Sequence, residues 1–310
     1  MNVVFHASAG PDLAARLARL ECLSVSVCRE DDSAALARLL PDCEVLWHVL
    51  QPCTADIIAA APKLKLIQKI GTGVNTIDLE AAKRRGIPVC NLPGTNARAV
   101  AELALGLMLA LLRRIPAFDR SLRGGTWSDA ALQDGIAEIG GRTAGLIGFG
   151  AIPKILAPIL NAMGCRVIYH ARSPVADATA VYRPLNQLLE ESDIVSLHLP
   201  LVPETRHIIN AGSLARMKPG AILINTGRGG LIDQAALVEA LVSGRLGGAG
   251  LDVFDTEPLA PGDPLLALPN VVVTPHIAWL TTGTFDRSFA LAAENCRRIA
   301  SGAPLLHRVV

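Results

Sequence analysis

The sequence predicts an α/β protein made of two doubly wound parallel-sheet domains. Short runs rich in Val, Ile and Leu alternate with helix-like stretches along most of the chain. Those runs lack polar alternation, as expected of strands covered by helices on both faces, and the alternation itself implies a parallel sheet. The series breaks once, at a polar glycine-rich stretch, and then restarts. A length of 310 residues suits two domains of ordinary size. Folding such a chain buries roughly 75% of its unfolded surface, so the core needs no staples.

In chain order, the strand Val3–Phe5 precedes a helix in PDLAARLARL. VSVC follows, then DDSAALARLL with Asp31 as candidate N-cap. EVLWHVL, LKLIQKI and IPVC continue the strands. After the loop NLPGTNA, a long helix is expected from Arg98 to about Ile115, with Pro116 helping to end it. RGGTWSDAALQDGIAEIGG reads as the connector. The second series starts at TAGLIGFG and continues with Val167–Tyr169, Asp193–Leu197, Ala221–Ile224, Ala249–Val253 and Val271–Val273. A final helix is expected over Thr284–Ile299. The second series is the better candidate for a nucleotide-binding domain, and either follows the first or is inserted within it, with the last helix returning to the amino-terminal unit; pattern alone does not derive that return.

Composition narrows the function classes. Apolar residues make up 51% and charged residues 18%, which argues against disorder. Lys plus Arg number 29 against 28 Asp plus Glu, so the +1 balance has no footprint for nucleic acid or an anionic membrane. The longest charge-free apolar run, Leu103 to Leu112, is ten residues. Spanning a bilayer takes roughly 20. The amino end does not read as a signal peptide. The seven cysteines (Cys22, Cys28, Cys43, Cys53, Cys90, Cys165 and Cys296) include no C-x-x-C pair. They are expected to be reduced core residues of a cytoplasmic protein, with no metal site.

GLIGFGAIP joins a strand, a tight glycine turn and a helix start. Gly148 permits the turn and Gly150 lets the backbone approach a pyrophosphate, whose charge suits the exposed amides at the helix start of Ala151 and Ile152. Pro153 replaces the usual third glycine; its missing N–H costs little in a first turn, but its bulk falls where helix and strand pack closely. At the end of the next strand an acid normally accepts the ribose 2′-hydroxyl of NAD. The sequence has Ala171 there, followed by Arg172 and Ser173. An arginine pairs with a phosphate that an acid would repel, so NADP(H) is the expected cofactor, with NAD(H) also possible.

Further motifs carry a resemblance. LLEESDIVSLHLPLVPETRHIIN, MKPGAILINTGRGGLID, GGAGLDVFDTEPL and NVVVTPHIA resemble consecutive signatures of the D-isomer-specific 2-hydroxyacid dehydrogenases, in the family's order. LKLIQKIGTGVNTIDL and NARAVAELALGLMLALLRRI are similar to the same family. The resemblance implies two Rossmann-like domains, 97–283 binding the dinucleotide and 1–96 plus 284–310 a flavodoxin-like substrate-binding domain, with an interdomain active-site cleft and a homodimer. It maps the family's active-site residues onto Arg228, Glu257 and His276. A histidine can protonate a carbonyl oxygen near neutral pH, a neighbouring carboxylate fixes the ring and favours its imidazolium, and a guanidinium can hold a carboxylate at two points. The implied reaction is reduction of a small 2-keto acid of the glyoxylate or hydroxypyruvate class to the D-2-hydroxy acid.

The resemblance also implies secondary roles. The Gly71-Thr72-Gly73 loop would take the substrate carboxylate through backbone amides of Thr72 and Gly73, as a nest suits an anion. Asn96 positions substrate or cofactor, or caps a helix. Leu199, Pro200, Thr205, Thr226 and Gly227 match cofactor-contacting positions, Asp252 matches the acid near the nicotinamide carboxamide, and His198 lines the cofactor pocket. Trp279 and Leu280 either wall the substrate or serve packing, and the helix Val100–Leu112 either supports the dimer or is internal core. Two other classes stay open: a dinucleotide-sensing protein without useful turnover, and a dehydrogenase of another small anion. Formate would call for glutamine in place of Glu257; phosphite fits these residues.

Overall fold

The structure, a computed structural model, describes residues 1–176 and 179–310. The chain divides into two compact units, Met1–Asn96 with Thr281–Val310, and Ala97–Leu280.

The first unit holds strands β1 (Asn2–His6), β2 (Ser24–Cys28), β3 (Val45–His48), β4 (Leu66–Lys69) and β5 (Val89–Cys90), all parallel in the order β2-β1-β3-β4-β5. Only Asp32, not the predicted Asp31, caps the helix Ser33–Leu39: its carboxylate accepts from the Ala35 N–H, while Asp31 pairs with Arg29. The helix Thr282–Ser301 begins two residues before the predicted start because the Thr281 hydroxyl accepts from the Thr284 N–H. It packs on this sheet through Phe289, which stacks on buried Trp47 at 5.5 Å and meets Phe5 edge-on. Truncating an aromatic in such a core costs about 3–5 kcal/mol, enough to decide where the chain's last helix docks. The final residues then pair with β5 through the Val89 N–H and the Val310 carbonyl.

The last register row of this sheet is Cys28, His6, His48 and Lys69 on four neighbouring strands. His48 is fully buried, and burial, aided by the Lys69 ammonium, pushes it down to about 3. An unfolded histidine titrates near 6.5, so below that pH the unfolded chain takes up a proton that the fold refuses. Stability is therefore full above that value and falls as pH drops toward the folded one. Urea titrations at about pH 7 and about pH 5 should show this loss, and His48→Gln should shrink it. An equal loss in both proteins would remove His48 as its source.

The second unit holds β6 (Thr143–Ile147), β7 (Arg166–His170), β8 (Val181–Tyr182), β9 (Ile194–Leu197), β10 (Ile222–Asn225), β11 (Gly248–Leu251) and β12 (Val271–Val273). They are parallel in the order β12-β11-β10-β9-β6-β7-β8. The two-residue β8 was not expected, being too short to show a period. The helix Ala97–Leu112 ends three residues before the predicted Ile115, because Arg114 takes a left-handed φ of 50°. Pro116 does not end it: it occupies the first turn of a second helix, Ile115–Arg123, where its missing N–H costs little. The first of these helices lies close on β11. A Cβ on Gly250 would come within 2.9 Å of Leu107, and one on Gly248 within 3.1 Å of Leu111. Its residues Ala101, Ala104, Leu107 and Met108 are core.

All cysteines are free; only Cys22 is exposed. Among the described residues no helix is long and apolar enough to cross a membrane.

Candidate active site

Three adjacent strands of the second unit, β10, β11 and β12, end beside one another, and each passes into a segment bearing one of the three predicted catalytic residues. Arg228 follows β10, Glu257 follows β11, and His276 follows β12. His276 Nδ1 lies 2.7 Å from Glu257 Oε2. The other oxygen, Oε1, accepts from the Phe254 N–H at 2.9 Å, so the carboxylate is held at both ends. Burial pushes the Glu257 carboxyl up, but the His276 hydrogen bond and charge, the Phe254 amide and the Arg228 charge together hold it below the usual range. It is thus an anion at neutral pH. Among the described residues His276 Nε2 has no protein partner.

Arg228 is part-buried; its Nη1 donates to the Gly227 carbonyl at 2.7 Å, and it interacts electrostatically with Glu257. Burial lowers its guanidinium, which Glu257 opposes. A Cβ on Gly229 would sit 1.9 Å from the Phe254 carbonyl carbon. Only glycine lets the Arg228 loop press so closely on the segment leading to Glu257.

Asp252, the first residue beyond β11, is fully buried. Its carboxylate accepts from the Thr274 hydroxyl at 2.5 Å, the Ile277 N–H at 2.9 Å and the Ala278 N–H at 2.9 Å, gripping the loop that carries His276. Burial raises its carboxyl against these four influences, the hydrogen bonds and the His276 charge. His276 itself has a φ of 54°, uncommon outside glycine and sustained only by such a scaffold. The Trp279 indole N–H donates to the His276 carbonyl at 3.0 Å, so this side chain also braces the loop; Leu280 is exposed.

At the opposite side of the sheet's switch point, between β6 and β9, lies the glycine turn. Ligands of doubly wound sheets bind at such points, outside the strands' carboxyl ends. Gly148 has a φ of 96°, and a Cβ there would come 2.5 Å from the His198 carbonyl oxygen. Gly150 is the N-cap of the helix Ala151–Ala162 and offers no side-chain cap, leaving the first amides of Ala151 and Ile152 to an anion. Pro153 is buried in that first turn and is accommodated without breaking the helix. The Gly148 N–H donates to the His170 carbonyl at 2.8 Å. That bond brings the end of β7, and with it Ala171, Arg172 and Ser173, against the turn. Arg172 and Ser173 are exposed, and the Arg172 guanidinium has no protein partner among the described residues.

The remaining predicted contacts line the same edge. Leu199 and Pro200 follow β9. The Thr205 hydroxyl donates to the Pro200 carbonyl at 2.7 Å and braces the turn Pro203–Thr205. Two buried polar atoms on this edge lack partners among the described residues: Thr226 Oγ1 and His198 Nδ1. Burial pushes His198 down to about 4, although part of the residue stays accessible, and its Nε2 lies 2.9 Å from Ser196 Oγ. A cradle free of Cβ atoms, uncapped helix amides, an unpaired arginine and orphaned polar atoms together fit a dinucleotide.

In the first unit, Gly71 has a φ of 144°. Its loop is tied to the exit of β5: the Leu92 N–H donates to the Gly71 carbonyl and Asn91 Nδ2 to the Thr72 carbonyl, both at 2.8 Å. Thr72 is exposed and Gly73 part-buried. Asn96 makes no side-chain hydrogen bond among the described residues. The residue that sequence reasoning passed over is Asn225, fully buried at the end of β10; an asparagine two residues before a glycine turn was the signal available.

Residues 105–278 match the family model for the D-isomer specific 2-hydroxyacid dehydrogenase, NAD binding domain. The chain is 47% identical over 248 residues to the hydroxypyruvate reductase of Thermotoga maritima, covering 78% of this chain and 80% of that protein. It is 43% identical over 257 residues to the glyoxylate reductase of Aeropyrum pernix, covering 80% and 76%. The solved structure of the TT0316 protein from Thermus thermophilus matches with a TM-score of 0.90 at 40% identity, over the full length of both chains.

Proposed function

Since the chain belongs to the D-isomer specific 2-hydroxyacid dehydrogenases, we propose that it reduces a small 2-keto acid, of the glyoxylate or hydroxypyruvate class, to the D-2-hydroxy acid with NADPH. One observation supports this above the others. The Glu257 carboxylate occupies His276 Nδ1 and leaves Nε2 free, beside a loop bearing a guanidinium. Carbonyl reduction needs that pair of groups, a proton donor for the oxygen and a cation for the substrate's charge. The relatives named glyoxylate and hydroxypyruvate reductase support the substrate class.

A bound reduced nicotinamide would supply the hydride that the keto carbon takes up. Arg228 binds the substrate carboxylate and polarises the carbonyl, while His276 gives the Nε2 proton to the oxygen as charge builds there. Glu257 keeps the ring in orientation and compensates the imidazolium. Thr72 and Gly73 offer backbone amides to the carboxylate, and Trp279 contributes an apolar wall. Gly148, Gly150, Ala151 and Ile152 would hold the pyrophosphate of the cofactor; Leu199, Pro200, Thr205, Thr226, Gly227 and Asp252 would complete its site. A steady-state panel of keto acids with NADPH and NADH tests the proposal. Oxidation of neither cofactor by any keto acid would end it.

Cofactor choice rests on Arg172 and Ser173, exposed beside the turn with no acid at Ala171. Arg172→Ala should raise the KM for NADPH about tenfold or more and leave that for NADH within about twofold, since the guanidinium's hydrogen bonds to an anion are worth about 1.5–3 kcal/mol. Equal changes for both would remove the phosphate-binding role.

We further propose a cytoplasmic homodimer. The cysteines are unpaired, and the helix Ile115–Arg123 buries none of its residues while exposing Ile115 and Leu122, with Trp127 beyond it 88% exposed. Apolar patches of this kind mark association surfaces.

A further inference from the structure

We propose that Asn225 is a positioning residue of the reaction, setting the place of Arg228 through both ends of its carboxamide. The proposal rests on the keto-acid reading above. Asn225 ends β10 in register with Leu197 on β9 and Leu251 on β11, and it is fully buried. Its Oδ1 accepts from the Gly227 N–H at 3.0 Å, and its Nδ2 donates to the Arg228 carbonyl at 2.9 Å. The two bonds grip the backbone on either side of the Gly227–Arg228 pair.

The same residue reaches toward the proton donor. The Asn225 carbonyl accepts from the Asp252 N–H at 3.0 Å, and the Asp252 carbonyl accepts from the His276 N–H at 2.8 Å. Arg228, Asn225, Asp252 and His276 are thus joined by consecutive hydrogen bonds across three strand ends. The loop has little room to move otherwise. A Cβ on Gly227 would come within 3.1 Å of Leu231, and Gly229 is pressed on the Phe254 backbone. A buried amide in place of an apolar side chain costs desolvation unless both its ends are satisfied. Here both are satisfied by the backbone that carries Arg228.

Asn225→Asp tests this directly. The carboxylate keeps the size of the amide and the acceptor for Gly227, but sets an oxygen against the Arg228 carbonyl. Keto-acid kcat/KM should fall by about 10- to 100-fold, the effect of displacing a substrate-binding group by about 1 Å. Inhibition by oxalate, a non-reducible two-carbon anion, should weaken in parallel. A purely structural role would lower the melting temperature and act independently of Arg228. The decisive measurement is therefore a cycle with Arg228→Ala. If Asn225 works through Arg228, Asn225→Asp has little further effect on kcat/KM in that background. Multiplying effects, or kcat/KM and oxalate inhibition within about twofold of wild type, would overturn the assignment. Should Asn225→Asp not fold, Asn225→Ser takes its place in the cycle, since its hydroxyl replaces the acceptor but not the donor. Wild-type turnover on at least one keto acid establishes the reading by itself, so a multiplying cycle overturns only the role of Asn225. Absence of wild-type turnover across the panel overturns the reading and this assignment with it.

Discussion

Replacing His276 with alanine is expected to lower keto-acid turnover by about 10²- to 10⁴-fold, the usual contribution of a positioned general acid. The geometry sets this expectation. His276 lies 2.7 Å from Glu257 through Nδ1, and Nε2 has no partner among the described residues, so the ring has one nitrogen held and one available. The loop is braced independently of the ring. Asp252 accepts from Thr274, Ile277 and Ala278, and the Trp279 indole donates to the main-chain carbonyl of residue 276. Removing the imidazole should therefore leave the loop in place and NADPH binding within about twofold. The loss should fall on kcat and kcat/KM together, as for an interaction made only in the transition state. Stopped-flow single turnovers with glyoxylate would show whether the hydride step itself has slowed. Near-wild-type turnover would end the assignment of His276 as proton donor. A loss confined to KM would make the ring a binding group instead.

Much of this arrangement could be read from the sequence, and the reasons are local. Apolar runs such as those around Leu46 and Leu223 lack alternation because both faces of their strands are covered, and the parallel sheets follow. The three catalytic candidates sit in motifs whose order alone placed each after a separate strand. What stayed hidden depends on distant contacts or on a single residue's backbone. Arg114's left-handed conformation, which stops the long helix early, has no pattern around it to announce it. Asp31 and Asp32 are equivalent as caps until Arg29 engages one of them. The docking of Phe289 on Trp47 joins residues more than two hundred positions apart. The clamp of Asn225 on Arg228 is not legible in the sequence because a lone asparagine at a strand end usually means only a turn. Asp252 was expected among the cofactor contacts on resemblance, and its hold on the His276 loop became visible only with the three acceptances in place.

Arg228→Lys is expected to lose about 10²- to 10³-fold in kcat/KM, as for removal of a donor aimed at developing negative charge. The charge is retained in this variant, so the loss measures geometry. The arginine is fed by an extended backbone, φ −146° and ψ 143°, between two tightly packed glycines, and Nη1 is spent on the Gly227 carbonyl. A guanidinium can make that internal bond and still present other N–H groups in a fixed plane to a carboxylate. An ammonium has three rotatable donors on a different stem. If it bonds to the Gly227 carbonyl it presents no matching pair of donors, and if it reaches the substrate it leaves that carbonyl unpaired. The ammonium is also more strongly hydrated, so burial beside Glu257 costs it more. The keto-acid KM and the oxalate inhibition constant should both rise, with kcat falling as carbonyl polarisation weakens. Full activity in the lysine variant would show that a positive charge near His276 suffices, and the two-point grip assigned to Arg228 would have to be abandoned.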